Sequence, residues 1–151
     1  MHVEYREDGW RVSLDAGLVQ MIQIDFRLGL IMSGDDDMLI LHIETPFCFK
    51  RNGQNTILNP SESENLAPIL SLFNKSISHI EVKRTGHIEL FFADTYSIEC
   101  DSNMNYEAWQ FSCVGKFLLV CLPGGAVSFF PQDGMDLDHG NTVGFVTMPP
   151  D

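Results

Sequence analysis

The sequence predicts a mainly β fold, in which two antiparallel three-strand meanders form a sandwich or an open barrel. Short apolar or alternating runs dominate the chain, and Gly, Asp, Asn and Pro separate them. Hydrophobic residues make up 44% of the chain and aromatic residues 11%, which is sufficient for a packed core. The 151 residues suit one domain spanning 1–151.

Ten runs have the alternation or the apolar density that is typical of strands. They lie at residues 10–14, 19–25, 27–32, 38–43, 77–83, 87–92, 96–100, 109–113, 117–121 and 126–130. The run at 19–24 resembles the run at 77–82, which suggests related halves at about 10–50 and 74–130. Residues 50–59 are polar and are predicted to form a loop, and 131–151 form a polar tail.

One short helix is predicted between the two halves. Asn59 and Pro60 offer a cap and an early proline, and acidic residues follow them. Pro68 lies within the span and should shorten or kink the helix. Four apolar residues have helical spacing: Leu66, Ile69, Leu70 and Phe73.

The charge of the chain favours a cationic partner. Nine Lys and Arg residues stand against 21 Asp and Glu, which gives a net charge of −12. Nucleic acids and anionic membranes both require positive surface, so neither is an expected partner. Acidity for solubility alone is the alternative explanation. The charged N-terminus and the short apolar runs predict a cytoplasmic protein.

Catalysis is not predicted, and neither is a cofactor or a metal centre. The chain contains none of the common nucleotide-binding, nucleophile-elbow or metalloprotease motifs. Its four cysteines include no Cys-x-x-Cys pair and are expected to be reduced and buried. Cys121 with His87 as its base is the one speculative catalytic set.

A row of three glutamates is predicted on one outer face. The three-residue loops at 84–86 and 93–95 would pair Glu81 with Glu89, and Glu89 with Glu99. Like charges placed directly opposite on a sheet are destabilising. The row could therefore dock Lys or Arg from a partner, bind a hard cation such as Ca²⁺ or Mg²⁺, or splay apart into solvent. The row beside it partly compensates the charge: Lys83, His87 and Asp101.

Further acidic residues are candidate contacts for a cationic partner. The full predicted set is Glu81, Glu89, Glu99, Asp101, Asp35, Asp36, Asp37, Asp133, Asp136 and Asp138. The last three resemble a calcium loop in their spacing. They lack the terminal glutamate and the flanking helices of an EF-hand, so that interpretation fails.

Two motifs in the second half are the most distinctive part of the sequence. Tyr-Glu-Ala-Trp at 106–109 is followed by Cys-Leu-Pro-Gly-Gly at 121–125. Together they resemble a bacterial domain family of unknown function, over about residues 14–130, and such proteins look like immunity partners of polymorphic or contact-dependent toxins. The motif residues are predicted to define the fold: Tyr106, Glu107, Trp109, Cys121, Pro123, Gly124 and Gly125.

These observations predict an immunity protein that binds a cationic toxin domain, for example a nuclease, and occludes its active site. A nuclease needs basic surface to bind phosphates, and acidic surface is its complement. The alternative is a non-catalytic ligand-binding or scaffold domain that is acidic for solubility. A cysteine hydrolase is the third hypothesis.

Overall fold

The computed structural model describes residues 1–34, 36–132 and the backbone of 146–148. The described residues form thirteen strands of one antiparallel sheet, which confirms the mainly β prediction. The strands are β1 His2–Arg6, β2 Gly9–Ile24, β3 Leu28–Gly34, β4 Asp37–Ile43, β5 Phe47–Arg51, β6 Gln54–Leu58, β7 Ser76–Lys83, β8 Ile88–Phe92, β9 Ser97–Cys100, β10 Trp109–Cys113, β11 Phe117–Cys121, β12 Val127–Pro131 and β13 Val146–Met148.

The two predicted meanders are both present, as β2–β3–β4 and β7–β8–β9. They belong to the same sheet because β2 pairs directly with β7. Strands β10, β11, β12 and β13 continue the sheet beyond β4, and β5 and β6 continue it beyond β9. The short strand β1 pairs with the first part of β2.

The sheet curls so that its inner face encloses one hydrophobic core. The Trp10 ring on β2 and the Phe129 ring on β12 have centroids 6.3 Å apart, although β11, β10, β4 and β3 lie between these strands in the sheet order. Buried residues from nearly all the described strands and from the helix belong to a single cluster. Such curling is the expected way for a long twisted sheet to bury its apolar face.

The first two predicted strands are one long strand, and β1 was not predicted. In β2 the pairing with β7 shifts between Ser13 and Gly17, and Ala16 has a φ of 52°. This irregularity bends the strand, so its two parts take different neighbours. Two short periodic runs separated by an irregular segment look like two strands in a sequence, which explains the wrong division.

The predicted loop at 50–59 is wrong, because most of it belongs to the β5–β6 hairpin. Asn52 and Gly53 form its two-residue turn with φ angles of 52° and 76°. Asn-Gly between two strands is a strong signal for this kind of hairpin. The polar strand β6 obscured that signal, since only Leu58 of its five residues is buried.

The predicted helix is a 3₁₀ helix over Ser63–Leu72, and two of the four apolar residues predicted at helical spacing are exposed. A 3₁₀ helix has 3.0 residues per turn, so residues three apart lie on one face. Leu66, Ile69 and Leu72 are accordingly buried, whereas Leu70 and Phe73 are 57% and 62% exposed. Pro68 lies within the helix, as the sequence predicts.

One backbone carbonyl joins the β7–β8 turn to strands β10 and β11 across the curled sheet. The Gly86 oxygen, in the β7–β8 turn, accepts a hydrogen bond from Trp109 Nε1 at 2.8 Å and one from the Cys121 thiol at 3.5 Å. A Cβ atom on Gly125 would lie 2.6 Å from the Thr85 carbonyl oxygen, so the β11–β12 turn packs directly on this loop. We call these five residues the closing junction.

Replacing Trp109 by alanine should lower the free energy of unfolding by about 3–5 kcal/mol, because the ring is fully buried. Trp109→Phe keeps most of the apolar volume and removes the bond to Gly86, so we expect a smaller loss that includes about 1 kcal/mol for that bond. Denaturant titration followed by circular dichroism measures both values. An alanine variant as stable as the wild type would contradict the burial of this residue.

Glycine substitutions test whether the closing junction is tightly packed. Gly86→Ala would place a Cβ 2.9 Å from Cys121 Sγ, whereas a Cβ on Gly124 has no neighbour within 4 Å. Both residues have positive φ, at 89° and 88°, so both variants lose about 1–2 kcal/mol of backbone energy. Gly86→Ala should lose about 1–3 kcal/mol more from overpacking. Equal losses in a denaturant titration would show that the junction is loose.

Candidate functional site

The predicted glutamate row is present on the outer face of the sheet. Glu81 is opposite Glu89, and Glu89 is opposite Glu99, in the register that the loop lengths predict. The three side chains are half-buried, with exposed fractions of 20%, 22% and 29%. At this degree of burial the carboxylates are partly removed from water, so they need nearby cations or hydrogen-bond donors. They are not fully splayed into solvent.

The row is longer than predicted because other strands extend it on both sides. Beyond Glu81 it continues through Arg11 on β2 and Glu4 on β1. Beyond Glu99 it continues through Cys48 on β5 and Ile57 on β6. Seven strands therefore contribute to a single line of side chains, and the additional residues include the cation nearest to the first glutamate.

Three cations lie beside Glu81, and they offset its predicted repulsion with Glu89. Its Oε1 atom lies 3.6 Å from Arg11 Nη1 and 3.8 Å from Arg6 Nη1. Lys83 Nζ is 3.9 Å from its Oε2 and also binds Asp8 at 2.8 Å. These cations come partly from β1 and β2, which the sequence alone did not place beside β7.

Glu99 is compensated from the opposite side by Lys50 on β5. Lys50 Nζ lies 3.2 Å from Glu99 Oε2, and this contact raises the pKa of the Lys50 ammonium. The segment that contains Lys50 was predicted as a loop. The counterion was therefore missed together with the strand that positions it.

Glu89 differs from its neighbours, because its ion-pair partner in the described residues is a histidine. His87 Nε2 lies 3.9 Å from Glu89 Oε2 and 3.8 Å from Glu99 Oε2. The other ring nitrogen, Nδ1, is 2.7 Å from Asp101 Oδ1. One imidazole thus faces three carboxylates, and an atom from each of His87, Glu89 and Glu99 lies within 4.8 Å of the other two.

A groove of about 350 Å³ lies beside the last glutamate, where the described sheet ends at β6. We call it the edge groove. Its lining combines the acidic residues Glu99 and Asp101 with Ile57, which is 70% exposed. The loop that continues from the groove bears Met104 and Tyr106, which are 78% and 67% exposed.

Of the remaining predicted acidic contacts, the structure describes Asp36 and Asp37, which lie at the β3–β4 turn. Asp37 Oδ1 accepts from Lys116 Nζ at 2.7 Å, which holds the pKa of Asp37 below its usual range. Asp36 is exposed beside it with a φ of 67°. Four of the predicted contacts lie outside the described residues: Asp35, Asp133, Asp136 and Asp138.

Most residues of the two sequence motifs lie around the closing junction. Trp109 and Cys121 are buried there, and the Gly124 amide donates to the Asn103 carbonyl at 2.8 Å. Glu107 Oε2 accepts from the Gln110 side chain at 3.1 Å. Tyr106 and Pro123 differ from them, because both side chains are exposed.

Cys121 has the surroundings of a core thiol. Its sulfur donates to the Gly86 carbonyl, and burial raises its pKa to about 12. At neutral pH the reactive thiolate is then a very small fraction of the population. His87, the base suggested for it, is engaged with Asp101 instead. These contacts do not form a nucleophile–base pair.

Comparison with known families places most of the chain in one of them. The sequence model of a family described as "Family of unknown function (DUF6188)" matches residues 10–131. The chain belongs to this family. The membership confirms the predicted resemblance to a domain family of unknown function, and the matched span includes both motifs and all three row glutamates.

Other comparisons add no relative to this DUF6188 domain. No curated protein and no solved structure matches the chain. None of the helices in the described residues is sufficiently long and apolar to span a bilayer.

The different surroundings of the row glutamates predict opposite effects of the same substitution. Glu81→Gln removes contacts to three cations and should lower the free energy of unfolding by up to about 1 kcal/mol. Glu89→Gln relieves repulsion from two flanking carboxylates and should leave stability unchanged or slightly higher. Thermal unfolding of the wild type and of both variants, in the presence of a chelator, measures these differences in stability. A clear loss for Glu89→Gln alone would contradict these assignments.

Proposed function

We propose that this protein acts by binding a partner rather than by catalysis, and that it is an immunity protein for a cationic toxin domain. The observation that best supports the proposal is the edge groove, in which carboxylates stand beside exposed apolar side chains. Protein interfaces commonly combine such apolar anchors with complementary charge. The net charge of −12 would also accelerate encounter with a basic partner.

The edge groove suits a lysine or arginine of the partner. Such a side chain can lay its aliphatic stem along Ile57 and place its charged group between Glu99 and Asp101. Tyr106 and Met104 lie on the adjoining loop, and tyrosine and methionine are enriched at interfaces. The rest of the glutamate row is less available, since Glu81 already has three cationic neighbours.

Occlusion of a toxin active site follows from the same complementarity. An enzyme that cleaves nucleic acid needs cationic side chains around its catalytic centre to bind phosphates. An acidic groove flanked by apolar anchors can bind those side chains directly and exclude the substrate. The buried, protonated thiol of Cys121 supports a mode of action without nucleophilic chemistry.

The proposal predicts that binding depends on the edge groove and on salt. The test first asks whether a large secreted protein with a toxin-like C-terminal domain is encoded beside this gene. That domain is then titrated with this protein in chelator-containing buffer, and the dissociation constant is measured at two salt concentrations. Asp101→Asn and Ile57→Ala should each weaken binding by about 5- to 30-fold, as for interface residues worth 1–2 kcal/mol. Asp101→Asn should also reduce the salt dependence.

The matched control is Glu64→Gln, which removes one charge from an exposed position on the 3₁₀ helix outside the groove. It should bind like the wild type. Equal weakening by Glu64→Gln and Asp101→Asn would indicate a non-specific effect of net charge. Absence of binding to a neighbouring toxin domain would favour the alternative, a scaffold domain that is acidic for solubility.

A further inference from the structure

The cluster at the centre of the outer face has a histidine oriented by one carboxylate and aimed at two others. A carboxylate can only accept, so at 2.7 Å from Asp101 Oδ1 the Nδ1 atom of His87 bears the proton and donates it. In the neutral ring Nε2 then has no proton and presents a lone pair. This lone pair faces Glu89 and Glu99 at 3.9 and 3.8 Å, which is too far for hydrogen bonds.

Metal-binding histidines commonly make a hydrogen bond to a carboxylate through their other ring nitrogen, as His87 does to Asp101. The nitrogen that does not bind the metal usually donates to a carboxylate or a carbonyl, which fixes both the tautomer and the ring orientation. Here Asp101 occupies that position on His87. The orientation of the imidazole is therefore set before any ion arrives.

The distances between the ligand atoms also suit a small transition-metal ion. Zinc lies about 2.0–2.2 Å from its nitrogen and oxygen ligands, so neighbouring ligands of a tetrahedral ion are roughly 3.4 Å apart. The separations of 3.8 and 3.9 Å from His87 Nε2 need to close by about 0.4–0.5 Å around an ion, and the ligand atoms of Glu89 and Glu99, which lie within 4.8 Å of each other, need to close by up to about 1.4 Å. Half-buried glutamate side chains can make such a change by small rotations.

The local charge fits a dication. Glu89, Glu99 and Asp101 contribute three negative charges, and Lys50 supplies one positive charge through its contact with Glu99. Arg6, Arg11 and Lys83, which also lie on this face, contact Glu81, Glu4 and Asp8 instead. The three carboxylates and Lys50 together have a charge of −2, which a dication would neutralise.

We propose that His87, Glu89 and Glu99 form a binding site for a divalent transition-metal ion of the zinc class, with Asp101 orienting the histidine. Imidazole together with carboxylates favours such ions, whereas Ca²⁺ prefers six to eight oxygen ligands. Three protein ligands on a half-exposed face leave a fourth position open to water. The site would connect β8 to β9, and it shares Glu99 and Asp101 with the edge groove, so Zn²⁺ binding is measured without any toxin.

The experiment uses the full chain, stripped with a chelator and then titrated with Zn²⁺ alone. We expect one ion per chain by calorimetry, and a melting temperature about 5–10 °C higher at 100-fold excess over the dissociation constant. His87→Gln and Glu89→Gln should lose this shift, with melting temperatures in chelator within a few degrees of wild type. Co²⁺ in place of Zn²⁺ should give a spectrum without thiolate charge transfer.

His79→Gln is the matched control. His79 also lies on the outer face, 3.9 Å from Glu81, but that glutamate is occupied by Arg11 and Arg6. This variant should keep the full Zn²⁺ shift. The proposal is overturned if wild type shows no shift at millimolar Zn²⁺, or if His87→Gln retains it. It is also overturned if a thiolate band assigns the ion to cysteine, or if Ca²⁺ stabilises wild type and His87→Gln equally.

Discussion

The Gly86 carbonyl accepts hydrogen bonds from the Trp109 indole and the Cys121 thiol, and it does so at the point where the curled sheet meets itself. Gly86 can occupy this position because it has a φ of 89° and no side chain to collide with Cys121 or Gly125. A polar atom buried among aromatic and aliphatic groups must be satisfied, and here its partners come from β10 and β11, which β2, β3 and β4 separate from β7 in the sheet order. The enclosed core depends on this contact.

That constraint accounts for Trp109, Cys121 and Gly125 of the two sequence motifs. Closure requires a tryptophan that donates to the β7–β8 turn, a small thiol that donates to the same carbonyl, and a glycine that packs on Thr85. In this chain they are requirements of the fold. The proposed partner contacts and the proposed metal ligands are on the outer face, outside the closing junction.

The outer face derives its chemistry from strand register. A row of side chains across seven strands combines residues that are far apart in sequence, and a shift of one residue in any strand would remove its member from the row. Within this row Glu81 contacts cations such as Arg11, whereas Glu89 contacts His87. Two glutamates with identical sequence patterns thereby acquire different roles.

The sequence by itself determined the local features: the mainly β class, the two meanders, and the Glu81–Glu89–Glu99 register, because strand periodicity and three-residue loops act over a few residues. Only the tertiary structure decided which cations neutralise that row. Arg11 and Lys50 reach it through pairings between strands that are distant along the chain, and no local pattern encodes such pairings. The burial of Leu72 in place of Phe73 was likewise decided by the 3₁₀ geometry of the helix against the core.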